Sequence, residues 1–253
     1  MRKKILKIIN EYGINTAIYY KNLENNKKFT LNEKEKLPSA SLIKLFIMYH
    51  AFKKVSEESL SLEIQIPVNR NDTVEYSIIE ALSIDKYSLE DLITLMIIQS
   101  DNTATNILIN YLGMSNINDT INELSMQKTS LNRKMMDFYA RENGIDNWTS
   151  AEDVGELLYK IYKDEFRNSE LNKKIFAIMK RQIFMTMIPR YLNESYEIFN
   201  KTGDLPNINN DAAIIFHSQG NSILVILTKD CKDKYKAQEF VGKVAKIILE
   251  ENI

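Results

Sequence analysis

The sequence predicts a mixed α/β fold of the α+β type: an antiparallel sheet made from strands at the two ends of the chain, flanked by helices, with a helical lobe between them. Three observations carry this. Residues 16–21 and 27–30 alternate in the strand manner, and three more strand-like runs stand at 195–202, 211–218 and 222–229. The stretch between these groups has its apolar residues at helical spacing, and an amphipathic run over 234–250 closes the chain. The expected organisation is one domain over 1–253 with two lobes, a sheet lobe of about residues 1–40 and 190–253 and a helical lobe of about 41–189, with a cleft where they meet.

In chain order, a first helix over residues 1–10 ends near Gly13, a residue suited to a helix C-terminus. Thr16–Lys21, a turn at Asn22–Asn26 and Lys27–Thr30 form a hairpin. Ser41–Val55 is an apolar helix, and Ser88 with Asp91 has the spacing of a capping box opening a helix through Gln99. Thr103–Leu112 stops at Gly113, and Ser115–Leu124 is a further short helix. Lys128–Asn147 has no clean period and is expected as a long loop, a kind of segment that often carries function. Thr149 with Glu152 suggests a cap for a helix to about Lys163, and Glu170–Met185 reads as helical.

Composition removes several classes of function. The 253 residues carry 33 Lys and Arg against 34 Asp and Glu, a balance that produces no field for nucleic acid or an anionic membrane. Cys231 is the only cysteine, so an internal disulfide is impossible, and two histidines without ligand spacing argue against a metal site; no cofactor is expected. No run reaches the roughly 18 apolar residues of a membrane span, since Leu89–Ile98 is broken by Glu90, Asp91 and Thr94. The basic start with its short Ile5–Ile9 run does not fit a secretory signal, so the compartment stays open: cytoplasmic unless an export signal has been removed. A monomer acting on a small molecule is the expected form.

Three short motifs follow one another: Ser41-Leu42-Ile43-Lys44, Ser100-Asp101-Asn102 and Lys201-Thr202-Gly203. Serine-x-x-lysine recurs at Ser83–Lys86 and Ser125–Lys128, so context must select among the three. Ser41 alone opens a long apolar helix, where residues three apart share a face and the lysine can reach the hydroxyl. Free N–H groups at a helix start suit a developing oxyanion, and burial of Lys44 among Leu45, Phe46 and Ile47 should lower its pKa towards a neutral base. Ser100, at a junction of two helices, can pass a proton to a leaving nitrogen, Asn102 can bond a substrate amide, and Asp101 suits a helix cap. Lys201-Thr202-Gly203 sits at the end of a predicted strand, where substrate can pair along the edge, the lysine attracts a carboxylate and glycine allows close backbone approach.

The order of these motifs is the set that characterises penicillin-recognising serine enzymes. With Ser100-Asp101-Asn102-Thr103-Ala104-Thr105-Asn106 and the end strands, the chain resembles the class A β-lactamases over nearly its whole length. That resemblance implies an acyl-enzyme at Ser41, with Lys44 and Ser100 moving protons and Asn102, Lys201, Thr202, Gly203 and Asp204 binding substrate. The backbone N–H groups of Ser41 and Asp204 are then the oxyanion pair, and Asp211 resembles a residue the family often places at the start of the next strand. The family's loop normally reads Arg-x-Glu-Pro-x-Leu-Asn, its glutamate activating the water that frees the product. Here Arg133 is followed by Lys134, Met135, Met136, Asp137, Phe138 and Tyr139, so that Met135 stands at the glutamate and Tyr139 at the asparagine. Loss of such a base slows a step by ~10²–10⁴, or about 3–5 kcal/mol. Asp137 and Glu142 are the nearby acids, more in keeping with solvated loop charges. No basic residue directly follows Gly203 to match the family's extra carboxylate-binding arginine, for which Arg190 is a weak candidate.

The expectation is a β-lactamase-like serine hydrolase of atypical deacylation. A D-alanyl-D-alanine peptidase or esterase would use the same residues, and a penicillin-binding sensor would keep the adduct. A Ser-His-Asp hydrolase built on His50 or His217 is a weaker alternative, neither histidine having a triad context.

Overall fold

The computed structural model describes residues 1–252. Helix α1 (Arg2–Tyr12) ends where Gly13 turns left-handed at φ 62°, and its N–H closes on Ile9 O. Strand β1 (Asn15–Asn22) then pairs with β2 (Lys28–Leu31) as the predicted hairpin. The two-residue strand β3 (Leu37–Pro38) leads into a tight 3₁₀ turn at Ala40–Leu42, from which α2 (Ile43–Ser56) departs. Ser41 therefore lies in this turn rather than in the first turn of the α-helix. The reason is Ala40, whose φ of 47° bends the chain sharply between strand and helix.

Helix α2 buries ten successive residues, Ile43–Phe52, so it is enclosed on all sides and not merely amphipathic. Strand β4 (Gln65–Pro67), helix α3 (Ile78–Ala81) and strand β5 (Lys86–Ser88) add Ile66, Ile79 and Tyr87 to the same core, and helices α4 (Leu89–Ile98), α5 (Asn102–Leu112) and α6 (Met114–Glu123) pack against α2. The capping box at the start of α4 forms as the spacing requires, Ser88 Oγ accepting from Asp91 N and the Asp91 carboxylate accepting from Ser88 N. Asp101 caps α5 by accepting from Ala104 N.

The long loop is less irregular than its composition suggests. It contains α7 (Phe138–Glu142), which Asp137 caps, and returns through β6 (Trp148–Thr149), paired with β3. The cap of α8 (Ala151–Tyr162) falls one residue later than expected: Ser150 accepts from Asp153 N, because Thr149 is committed to β6 and its hydroxyl meets Thr129. Helix α9 (Ser169–Lys180) stops five residues short of the predicted end. A 3₁₀ turn at Ile188–Tyr191 then leads to β7 (Glu197–Leu205), β8 (Ile208–Phe216), β9 (Ser222–Lys229) and α10 (Lys234–Asn252).

Strands β1, β2, β7, β8 and β9 form one sheet of order β2-β1-β9-β8-β7 with every neighbouring pair antiparallel. Alternation along β1 sends Ala17 and Tyr19 to the face covered by the central helices, and Ile18 and Tyr20 to the face under α1 and α10. Strand β7 runs through Lys201-Thr202-Gly203 instead of ending at it, since the pairs Gly203↔Asn210 and Asp204↔Asn209 continue the ladder to a turn at Asn207. It is an edge strand, with the Ala40–Leu42 turn packed beside it. Among the described residues no helix is long and apolar enough to cross a membrane.

Candidate functional site

The junction of α2, the α4–α5 corner and β7 gathers the three motifs. Close contact between β7 and the Ser41 turn requires glycine: a Cβ on Gly203 would lie 3.1 Å from Ser41 N, Ser39 O and the Ala40 Cβ alike. Ser41 opens onto the cleft beside this strand. Lys44, one turn further on, is wholly buried; its Nζ donates to Ser100 O at 2.7 Å, Ser100 Oγ at 3.1 Å and Asn102 Oδ1 at 3.0 Å. The lysine thus leans towards Ser100, and its hydrogen bonds among the described residues do not include Ser41 Oγ. From the opposite wall Lys201, also fully buried, donates to Ser100 Oγ at 3.1 Å and to Thr202 O at 2.8 Å.

Ser100 is held in left-handed backbone geometry, φ 56°, which costs a non-glycine residue about 1–2 kcal/mol. Asp101 sustains that corner: besides capping α5, its carboxylate accepts from Ser77 Oγ at 3.0 and 3.1 Å and from Ile78 N at 2.5 Å. Ser100 Oγ is consequently fixed between two amines, each within reach of its proton.

Electrostatics favour neutral amines here. Burial, then the charge of Lys201, drive the Lys44 pKa well below the ordinary lysine value, against an opposing pull from Asp101. Burial lowers Lys201 to about 7, partly offset by Asp211. Asp211 lies inside β8, raised to about 7 by burial, although Ile188 N and Asn200 Nδ2 donate to it. A hydroxyl between two amines of this kind can receive a proton from one side and release it to the other.

The cleft has a volume of about 1000 Å³. Its loop side is formed by Met135, Met136 and Phe138, its far side by Tyr76 and Ile78. Asn106 grips Met135 through the backbone, donating to Met135 O at 3.1 Å and accepting from Met135 N at 2.7 Å. The loop is also clamped by Arg133, whose guanidinium meets Asp146 at 2.8 Å with both side chains buried. Asp137 spends its carboxylate on Ala140 N, Glu142 is exposed, and the cleft walls include neither.

Other sequence candidates fall elsewhere. Arg190 Nε donates to the Tyr191 hydroxyl, and its Cβ packs under α10, where an added Cβ on Gly242 would approach to 3.0 Å; it does not line the cleft. His50 is buried against Thr120 Oγ1 at 2.7 Å, its pKa lowered to about 4 chiefly by burial, and His217 stacks on Tyr196. Neither histidine reaches the cleft. Sequence reasoning missed Lys232, Lys234 and Gln238, which line the cleft beside Asp204; Lys234 forms an ion pair with the Asp204 carboxylate. No periodicity links residues thirty positions apart, so this contact had no signal in the chain. Among the described residues no cluster of three or more His, Cys, Asp or Glu could hold a metal ion.

A sheet from both chain ends, packed on a helical layer with a cleft beside its edge strand, is the fold of solved β-lactamase and PBP-A structures. The model of the β-lactamase enzyme family matches residues 1–251, and the chain belongs to that family. It is 24% identical over 229 residues to the extended-spectrum β-lactamase PER-1 of Pseudomonas aeruginosa, covering 83% of this chain and 73% of that protein. Among solved structures, the β-lactamase of Sphaerobacter thermophilus superposes with a TM-score of 0.90 at 22% identity, over 99% of this chain and 97% of that one. The penicillin-binding protein PBP-A gives a TM-score of 0.90 at 23% identity, over 99% and 96%.

Proposed function

We propose that the protein opens a β-lactam or a related amide by transferring its acyl group to Ser41 and releases that group slowly. The observation that carries this reading is Ser100 Oγ, set 3.1 Å from both Lys44 Nζ and Lys201 Nζ at the wall of the cleft that Ser41 enters. In the reaction the Ser41 oxygen attacks the carbonyl carbon, and neutral Lys44 takes its proton, drawing closer once substrate fills the cleft. The N–H groups of Ser41 and Asp204 hold the oxyanion. As the C–N bond breaks, Ser100 protonates the leaving nitrogen and is reprotonated from Lys44, leaving an ester on Ser41 and an amine. Asn102 and Thr202 bind the substrate amide.

Hydrolysis of that ester needs an activated water, and the loop offers the thioether of Met135, which is no base. This favours a second reading, a penicillin-binding sensor or peptidase with a long-lived adduct; a mutant of PBP-A has been captured as an acyl-enzyme with penicillin G. Both readings predict that intact-protein mass spectrometry after exposure to a penicillin gains one adduct, absent in Ser41→Ala. The decay of that adduct, set against hydrolysis of a chromogenic cephalosporin, then separates lactamase from sensor. A wild-type chain that gains no mass and turns over no lactam or ester would sink the proposal.

A further inference from the structure

Where α10 packs on β8, the cleft wall holds polar groups that the chain leaves without partners. Asn209 lines the cleft at 2% exposure, and its Oδ1 has no hydrogen-bond partner among the described residues. Its main chain is paired, N donating to Thr228 Oγ1 at 2.9 Å and O accepting from the same hydroxyl at 2.8 Å. Gln238, 8% exposed on α10, lines the same cleft, and its amide has no hydrogen bond among the described residues. A buried amide without partners is costly and uncommon, so two of them in one cleft call for a ligand.

The sheet sets where this subsite lies. Along β8, Ala213 and Ile215 enter the core under α10, and Asn209 has the same parity. Across the ladder Asn209 stands opposite Asp204, while Met187, Leu205 and Cys231 add apolar wall. Ser100, the group that meets the leaving nitrogen, is bonded by Lys201 of β7, so a substituent on the leaving side extends along β7 towards Asp204 and Asn209.

We propose that Asn209 and Gln238 form a neutral subsite for a carboxamide on the leaving portion of the acyl donor. This rests on the acyl-Ser41 reading and adds to it a substrate class: a lactam or peptide-like amide whose leaving side carries a further amide in place of a free carboxylate. A carboxamide supplies the N–H that Asn209 Oδ1 lacks and a carbonyl to which the Gln238 amide can donate, whereas a carboxylate brings no donor. A carboxylate would also set its charge against Asp204, the cross-strand neighbour of Asn209. The cations at hand are engaged, Lys201 with Ser100 Oγ and Thr202 O, and Lys234 with Asp204. An ammonium group fits no better, since Lys232 and Lys234 outnumber that one acid in the wall.

The test is isothermal calorimetry on Ser41→Ala, so that binding is read without acylation, with benzylpenicillin, its primary carboxamide and its methyl ester as probes. The carboxamide should bind about tenfold more tightly than the ester, which accepts but cannot donate, and more tightly than the acid. Adding Asn209→Val, a β-branched residue suited to a strand, should bring carboxamide and ester within about twofold of each other. Gln238→Leu keeps the assignment open to refutation if the strand variant misfolds: it should weaken carboxamide and ester alike by about threefold, because both accept at the carbonyl. Equal binding of carboxamide and ester, which would mean that water alone serves Asn209, overturns the assignment. So does a preference that survives Asn209→Val, a tighter acid, or a Gln238→Leu variant that binds both probes unchanged. Acylation of the wild-type chain is scored separately by mass: if Ser41 gains none from any of these probes, the acyl-serine reading fails whatever the calorimetry shows for Asn209.

Discussion

At the scale of single residues, the site is governed by desolvation. An amine kept from water loses the stabilisation of its charged form, so the Lys44 pKa lies well below that of an exposed lysine. The sign for activity follows: acylation should be full above the depressed Lys44 pKa and fall as pH drops through it, an acid limb lying well below the ordinary lysine range. Replacing Ser100 by Ala should remove the proton donor to the leaving nitrogen and slow acylation by ~10²–10⁴, read from stopped mass-spectrometric time courses. Met135 is the complementary case. Because the Asn106 bonds fix its backbone where the residue lines the cleft, Met135→Glu should shorten the adduct half-life by about 10²-fold or more with little effect on adduct formation. An unchanged half-life would mean that a carboxylate at this position cannot reach the ester's water.

At the scale of elements, two devices hold the reacting groups in place. The first is the approach of β7 to the Ser41 turn. Gly203→Ala would press a methyl group 3.1 Å from Ser41 N, so the turn must shift by a few tenths of an ångström. Acylation should fall roughly tenfold with a nearly unchanged melting temperature, since catalysis is more sensitive to placement than folding is. The second is the Arg133–Asp146 clamp on the loop. Arg133→Ala removes one of two guanidinium partners of the buried Asp146 carboxylate, Arg141 Nε staying at 3.1 Å, a change that costs about 1.5–3 kcal/mol, and hydrogen exchange should show residues 129–147 losing protection before the sheet does. Uniform loss across the molecule would instead make the loop part of the global unfolding unit.

For the whole molecule, buried groups make opposing contributions to how stability follows pH. Asp211 has a folded pKa of about 7, raised from 3.8, so between those values the native state binds more protons than the unfolded chain and stability falls as pH rises. Lys201 is the converse: lowered from 10.5 to about 7, it makes the native state bind fewer protons above that value, so stability rises again with pH. His50, lowered from 6.5 to about 4, and the depressed Lys44 add rises of the same sign as that of Lys201, so the Asp211 decline is opposed over most of its range. Asp211→Asn should remove the declining contribution, so that stability gains a more positive slope between about pH 4 and 7, and should let the Lys201 rise begin at lower pH, as urea unfolding across a pH series would reveal.

Much of this architecture was legible in the chain because its signals are local. Gly13 marks the end of α1, Ser88 and Asp91 the start of α4, and the alternation of Asn15–Asn22 a strand; each follows from backbone and side-chain preferences within a few residues. The three motifs, read in order, pointed to the same family as the fold. What escaped was set by partners distant in sequence. Thr149 failed as a cap because β3 claims its backbone, and Lys201-Thr202-Gly203 proved internal to its strand because β8 pairs beyond it. The bond from Lys44 to Ser100 depends on the corner that Asp101 holds, and Lys234 reaches Asp204 only through the pairing of distant segments. By itself, then, the sequence determined the elements, their class and the chemical groups available. Tertiary packing decided which of those groups lose their water and which meet, because desolvation and contact are properties of the assembled cleft and of no segment within it.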